Sequence, residues 1–250
     1  MSGHSKWAGI KRKKAVTDSR RAKLWTKLLK EVTVASRIGG PDSEGNARLR
    51  VAVQDARGAN CPKENIERAI KRGSGLLDGA NYEELTYEGY GPGGVAILVE
   101  ALTDNKNRTV SELRHLLTKS GGNLGENGCV AWMFDKRGCF AIEADGLDED
   151  DFMELALEVG AEDASIEDGI FEIYSAPEEY ANVRDELDKR DVTVGSQALA
   201  MVPQSEIEVD VETAQRVLKL VEAIEDQDDV QHVWTNLSLT AELLAAVSED

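Results

Sequence analysis

Cysteine and histidine are scarce in this 250-residue chain, and each shortage excludes a class of protein. Three cysteines, Cys61, Cys129 and Cys139, are odd in number and spaced unlike any zinc ribbon or disulfide framework. That usage suits a reducing compartment, so a cytoplasmic location is expected. Three histidines, His4, His115 and His232, stand far apart with no cysteine or second histidine at ligand spacing, so no metal site is expected. Long apolar runs are missing too. The longest, VAILVEAL, is cut by Glu100 and falls far short of the ~20 residues a membrane span needs. The basic start is followed by no apolar stretch of ~7 to 15 residues, so it does not read as a targeting peptide.

Catalytic and cofactor signatures are equally thin. No G-x-x-x-x-G-K-[ST] occurs. Gly89, Gly91 and Gly94 fit G-x-G-x-x-G, but a dinucleotide site needs a helix to begin there, and VAILVEAL reads as a strand. A tight turn between two strands is the better reading, and no cofactor is expected. The acidic run Asp145, Asp148, Glu149, Asp150 and Asp151 lacks the glycine and spacing of a calcium loop and reads as a solvated helix start. No nucleophile, base or small-molecule signature stands out, and the chain reads as a non-enzyme.

What the chain has is charge, unevenly divided. Its formal net charge is −18, from 29 Lys+Arg and 47 Asp+Glu. Residues 1–75 hold 18 and 7 of these, leaving 11 and 40 for residues 76–250. The first part is therefore net basic by 11 and the second net acidic by 29. A basic end attracts polyanions and an acidic remainder repels them, so the field orients an encounter as well as strengthening it. No carboxylate precedes Asp18. Lys6, Lys11, Arg12, Lys13 and Lys14 are placed to neutralise phosphates. Trp7 serves equally as a stacking surface for a base and as an anchor for the arm.

Periodicity supplies the architecture. Residues 18–38 read as a helix after an Asp18 cap, with Leu24, Leu28, Val32 and Ala35 inward. Arg20, Lys23, Lys27 and Lys30 form a cationic stripe beside that face, and the first three extend the expected phosphate-binding surface. Helices near 46–57 and from Pro62 to Gly73 complete a three-helix domain. Gly58-Ala59-Asn60-Cys61 resembles the turn of a helix-turn-helix, but Glu64 and Glu67 would then face phosphates in the groove. Strands are expected at 84–90, 94–102 and 129–135, with a helix of 109–120 capped by Thr109 and Glu112. The segment 138–202 reads β-α-β-β-α-β around an Asp168-Gly169 turn, the ferredoxin-like order. A helix of 211–225 and a strand of 230–239 cannot bury their faces alone. The fold class is thus α+β: an N-terminal three-helix domain and two small α+β domains, at least one ferredoxin-like. The expected bounds are 1–75, then 80–136 with 204–240, and an inserted acidic domain at 137–203.

Four stretches carry a family resemblance: GHSKWAGIKRKKAVTDSRRAKLWTKL, NARLRVAVQDARGANCPKENIERAIKRGSG, YEGYGPGGVAILVEALTDNKNRTVSELRH and GGNLGENGCVAW. Together they resemble the YebC/PmpR family, which includes mitochondrial translational activators, over residues 2 to about 240. The resemblance implies three domains, the middle one completed by the C-terminal segment. It implies a DNA-binding transcriptional regulator by family label, or a ribosome-associated translation factor that binds rRNA and relieves stalling at proline-rich sequences. It also implies that Asp104 to Thr109 form a polar loop presenting Lys106 and Arg108 to nucleic acid. Acidic domains facing a ribosome or another protein partner fit the same picture.

Overall fold

Asn46 sets the geometry of the N-terminal helices. Helices α1 (Asp18–Gly39), α2 (Ala47–Gly58) and α3 (Lys63–Gly73) follow one another through short turns. The Asn46 side chain accepts from the Leu49 amide at 3.0 Å, capping α2. Its amide donates to the Ala35 and Gly40 carbonyls at 2.8 and 2.9 Å, closing the end of α1. This computed structural model describes residues 18–143, 148–167, 169–240, 242–243 and 246, with the backbone alone at 18–20 and 167. The arm's Lys6, Trp7, Lys11, Arg12, Lys13 and Lys14, the Asp18 cap and Asp168 of the expected turn therefore lie outside what is described, as does the Arg20 side chain.

The helical core joins Val32 and Ala35 of α1 to Leu49, Val53 and Ala56 of α2 and Ile66 and Ala69 of α3. Leu24, expected inside, is 45% exposed. Trp25 takes the inward place instead, packing on the core while its indole N–H donates to the Ala59 carbonyl at 2.9 Å. That bond pins α1 to the turn between α2 and α3. Opposite, α1 and α3 touch backbone to side chain: a Cβ on Gly73 would lie 2.2 Å from the Thr33 carbonyl oxygen.

Two compact units follow from the contacts. Among the described residues, 18–130 with 212–233 form one, and 131–211 with 234–246 form the other. The first combines the three helices with β1 (Glu83–Tyr90), β2 (Ala96–Thr103), α4 (Lys106–Lys119), β3 (Asn123–Leu124) and all but the end residues of α7 (Val211–Glu225) and β8 (Val230–Thr235). The sheet order is β3-β1-β2-β8, with β2 buried along nearly its whole length. Between β1 and β2, Gly93 and Gly94 adopt φ of 72° and 76°, so the glycine-rich stretch is the tight turn expected and no helix follows it. On its inner face α7 buries Val217, Leu220, Val221 and Ile224.

The second unit holds β4 (Phe134–Ile142), α5 (Glu149–Glu158), β5 (Asp163–Glu167), β6 (Ile170–Ser175), α6 (Tyr180–Lys189) and β7 (Val194–Pro203). Its strands are antiparallel in the order β5-β6-β4-β7, the ferredoxin-like arrangement. Aromatic pairs join helices to sheet: Phe140 stacks on Tyr180 at 5.0 Å and Phe152 meets Phe171 edge-on at 4.9 Å. The architecture is α+β throughout.

Three local expectations are corrected. No strand spans 129–135: residues 131–133 form a 3₁₀ turn, and β4 runs unbroken from Phe134. The buried Glu88 carboxylate accepts from the Gly128 and Val130 amides at 2.6 and 2.7 Å, which holds that backbone in a loop. Helix α4 starts three residues early, because Asn105 rather than Thr109 caps it. The last strand ends at Thr235, short of 239.

The contact at Gly73 gives a direct test. Gly73→Ala is expected to lower stability by about 1 to 3 kcal/mol, since the new methyl meets backbone that cannot move aside. Gly58→Ala, where nothing lies within 4 Å, is expected to be neutral or to stabilise by up to ~1 kcal/mol. Urea midpoints of the two variants, compared with the parent, measure both.

Candidate functional site

The cationic face of α1 meets the carboxyl end of α7. Helices end with unsatisfied carbonyls and a partial negative charge, which lysines satisfy well. Lys27 donates to the Glu225 carbonyl and Lys23 lies 3.7 Å from the Asp226 carboxylate. One turn further along α1, Lys30 reaches the Asp228 carbonyl and the Asp229 carboxylate, each at 2.8 Å.

Asp229 is the centre of this region. One of its oxygens, Oδ1, takes the Lys30 ammonium. The other, Oδ2, accepts from the hydroxyls of Thr103 and Thr109, each at 3.0 Å, and from Arg108 through Nε at 3.2 Å and through Nη2. Its own carbonyl accepts from the Leu102 amide at 2.8 Å, joining the start of β8 to β2. Burial alone would raise this carboxyl's pKa, but hydrogen bonds from Lys30 and Arg108 outweigh it and push the value down to about 2. The bonds that Arg108 donates to Asp229 and to Asp104 raise its guanidinium above the ordinary value.

Each expected cation on the described residues thus has a place. Lys23 and Lys27 sit against the α7 terminus. Lys106 pairs with Glu83 at 2.9 Å, and Arg108 is shared between Asp104 and Asp229. Lys106 and Arg108 stand in the first turn of α4 rather than in a loop. Beside them opens a cleft of about 620 Å³, lined by Lys23, Lys30, Arg108 and five carboxylates, Asp104, Glu112, Asp226, Asp228 and Asp229. Such mixed lining has no net preference for a polyanion. Sequence reading missed Asp229, which looked like one acid in a polar turn; only its partners, 121 and 199 residues away, distinguish it.

A second opening lies between α1 and α3. It measures about 220 Å³, and its lining includes Lys30, Arg68, Arg72 and Tyr82 but no carboxylate. The side chains of Arg68 and Arg72 make no hydrogen bond or ion pair among the described residues, in contrast to Arg48, which grips Glu31 and Glu84.

The thiols are poor nucleophiles. Burial raises all three, and Cys139, with Glu172 adding to the effect, is pushed up to about 12. No cluster of potential metal ligands occurs among the described residues, and no helix among them is long and apolar enough to cross a membrane.

Comparison with known proteins adds the following. Residues 5–76 match the TACO1/YebC protein N-terminal domain, and residues 82–237 match the TACO1/YebC second and third domain. A protein of Desulfosudis oleivorans named "Probable transcriptional regulatory protein" is 52% identical, covering 96% of this chain and 98% of its own. One of Syntrophus aciditrophicus with the same name is 51% identical over 99% and 100%. The crystal structure of a conserved hypothetical protein from Aquifex aeolicus superposes with a TM-score of 0.82 at 48% identity, over 93% of this chain and 96% of that one.

The Asp229 cluster predicts a pH signature. The folded pKa lies below the ordinary 3.8, so the stabilisation is complete above that value and is lost as pH falls from about 4 through about 2. Asp229→Asn leaves Lys30 without its counter-ion and is expected to cost about 3 kcal/mol at neutral pH. Stability measured by denaturant from pH 7 to 2 is expected to converge for parent and variant at the acid end.

Proposed function

Because the chain belongs to the TACO1/YebC family, we propose that it is a non-enzymatic regulator of gene expression that works in the cytoplasm by binding nucleic acid through its basic N-terminal region. The observation that carries this reading is the division of charge, a segment net basic by 11 within a chain of −18. Lys6, Trp7, Lys11, Arg12, Lys13 and Lys14 make the first contact, and Arg20, Lys23 and Lys27 extend it along α1. Lys106 and Arg108 belong to the same proposed surface, Arg108 chiefly by holding Asp229 and so the junction with α1.

The relatives' name favours DNA and transcription as the target. One observation favours a second reading, attachment to ribosomal RNA. Glu64 and Glu67 are exposed near the start of α3, where a groove-reading helix would face phosphates. A basic end beside acidic domains fits a cleft in which rRNA and basic protein lie together, the acidic face meeting the protein partner.

Neutralising Lys11, Arg12, Lys13 and Lys14 together separates these readings. Binding to promoter DNA and to ribosomes is measured by sedimentation at several salt concentrations. The salt slope is expected to become shallower by about 0.9 per lost contact on duplex DNA, or ~0.7 on a single strand. An unchanged affinity and slope on both targets would sink the proposal, and loss on one target alone identifies it.

A further inference from the structure

The groove between α1 and α3 brings cations and an aromatic ring together without an acid. Its ten lining residues include three cations and an aromatic ring and no Asp or Glu, in a chain with 47 acids. Lys30 spends its ammonium on Asp229 and on main-chain carbonyls. Arg68 and Arg72 do not: they stand one helical turn apart on α3, both exposed, and their side chains make no hydrogen bond or ion pair among the described residues. Glu64, one turn before Arg68, makes no ion pair with it, and Glu67 is turned to Lys63 at 3.7 Å. The stem of Arg72 lies beside Gly79, with Cγ and Cδ 3.4 Å from where a Cβ would be. The guanidinium has no counter-ion among the described residues.

Two guanidinium forks a turn apart suit phosphate oxygens, which such groups bind bidentately. At about 220 Å³ the space is smaller than the ~300 to 1,000 Å³ of a small-molecule pocket, and its place between two helices suits a strand laid across it. A duplex needs a broader surface. Tyr82, half-buried at the same groove, has the Lys30 ammonium 5.3 Å from its ring centre and offers an aromatic face on which a base could stack.

Two hydroxyls on α1 bear on the choice of sugar. Thr26 donates to the Ala22 carbonyl at 3.0 Å and Thr33 to the Leu29 carbonyl at 2.8 Å, so each spends its one proton inside α1. What both offer the groove is an acceptor. Phosphodiester and deoxyribose have no proton to give it; a ribose 2′-hydroxyl has.

We propose that the α1–α3 groove is a binding track for a single strand of RNA, with Arg68 and Arg72 on successive phosphates, Tyr82 against a base and Thr26 and Thr33 receiving 2′-hydroxyls. This rests on the nucleic-acid reading above and names the ligand's chemistry and the residues that hold it.

The test uses the full chain and three labelled probes of one sequence: a 15-nucleotide RNA, the matching single-stranded DNA, and the DNA duplex. Affinity is measured by fluorescence anisotropy across salt concentrations. The parent is expected to bind the RNA at least about fivefold more tightly than the single-stranded DNA. R68A/R72A is expected to lose at least tenfold on RNA, with a salt slope shallower by about 1.4, two contacts at ~0.7 each. R68K/R72K keeps the charges but not the forks, and is expected to keep the slope while losing affinity. Both variants replace exposed side chains, and unfolding midpoints equal to the parent's establish that the fold is intact. If the parent binds none of the probes, the nucleic-acid reading itself falls, and the track with it. If the parent binds and R68A/R72A matches it in affinity and slope, the groove is wrong while the wider reading stands. Equal affinity for RNA and single-stranded DNA overturns the assignment to RNA.

Discussion

A carboxylate that is taken out of water must find its counter-charges close by, and in this protein that demand falls on Asp229. It collects an ammonium from α1, a guanidinium and a hydroxyl from α4 and a hydroxyl from β2, while its own main chain bonds to β2. Each partner alone would be an ordinary polar contact. Together they fix where a helix of the N-terminal region stands against the sheet, because a displaced partner leaves a buried charge uncompensated. Arg48, gripping Glu31 of α1 and Glu84 of β1, and Arg37, holding Asn81 and the Tyr82 carbonyl, tie the same elements from other sides.

This arrangement sorts the basic residues by task. Lys23, Lys27 and Lys30 serve the end of α7, which explains why their stripe is so regular: it follows a helix terminus and a short acidic turn. A row of cations can therefore be basic for internal reasons. Arg68 and Arg72 point from the neighbouring helix towards solvent without an acid to satisfy, and the contrast between the two sets is sharper than the total charge suggests.

The elements that could be read from the sequence were those whose signal is local. The three N-terminal helices, the ferredoxin-like order and the glycine turn at Gly93 and Gly94 depend on periodicity and turn chemistry within a few residues. Failures came where a distant partner overrides that signal. Leu24 fits the apolar spacing as well as Trp25 does, but Trp25 has a carbonyl from Ala59 to bond, 34 residues on. The stretch 129–135 is apolar enough for a strand, yet Glu88 captures the amides of Gly128 and Val130 from 40 and 42 residues away. Asn105 and Thr109 are both good caps, and Thr109 is drawn inward to Asp229 and Thr103 instead. At the candidate site the cations were visible and their partners were not, since nothing about Asp226 or Asp229 in the linear chain marks them as the groups that Lys23 and Lys30 meet.

The sheet order β3-β1-β2-β8 also has a consequence for how the chain is made. Strand β2 is long, buried and apolar, and the residue that completes its surroundings lies 126 positions beyond Thr103. A ribosome releases β1, β2 and α4 early and must then finish the whole ferredoxin-like unit before Asp229 and β8 emerge. Through that interval one edge of β2 has hydrogen-bonding groups and no neighbour, the condition under which nascent strands pair with the wrong chain. The helical region, closed by its own core, is under no such delay, so each molecule spends part of its synthesis with a finished basic end and a sheet still waiting for its last strand.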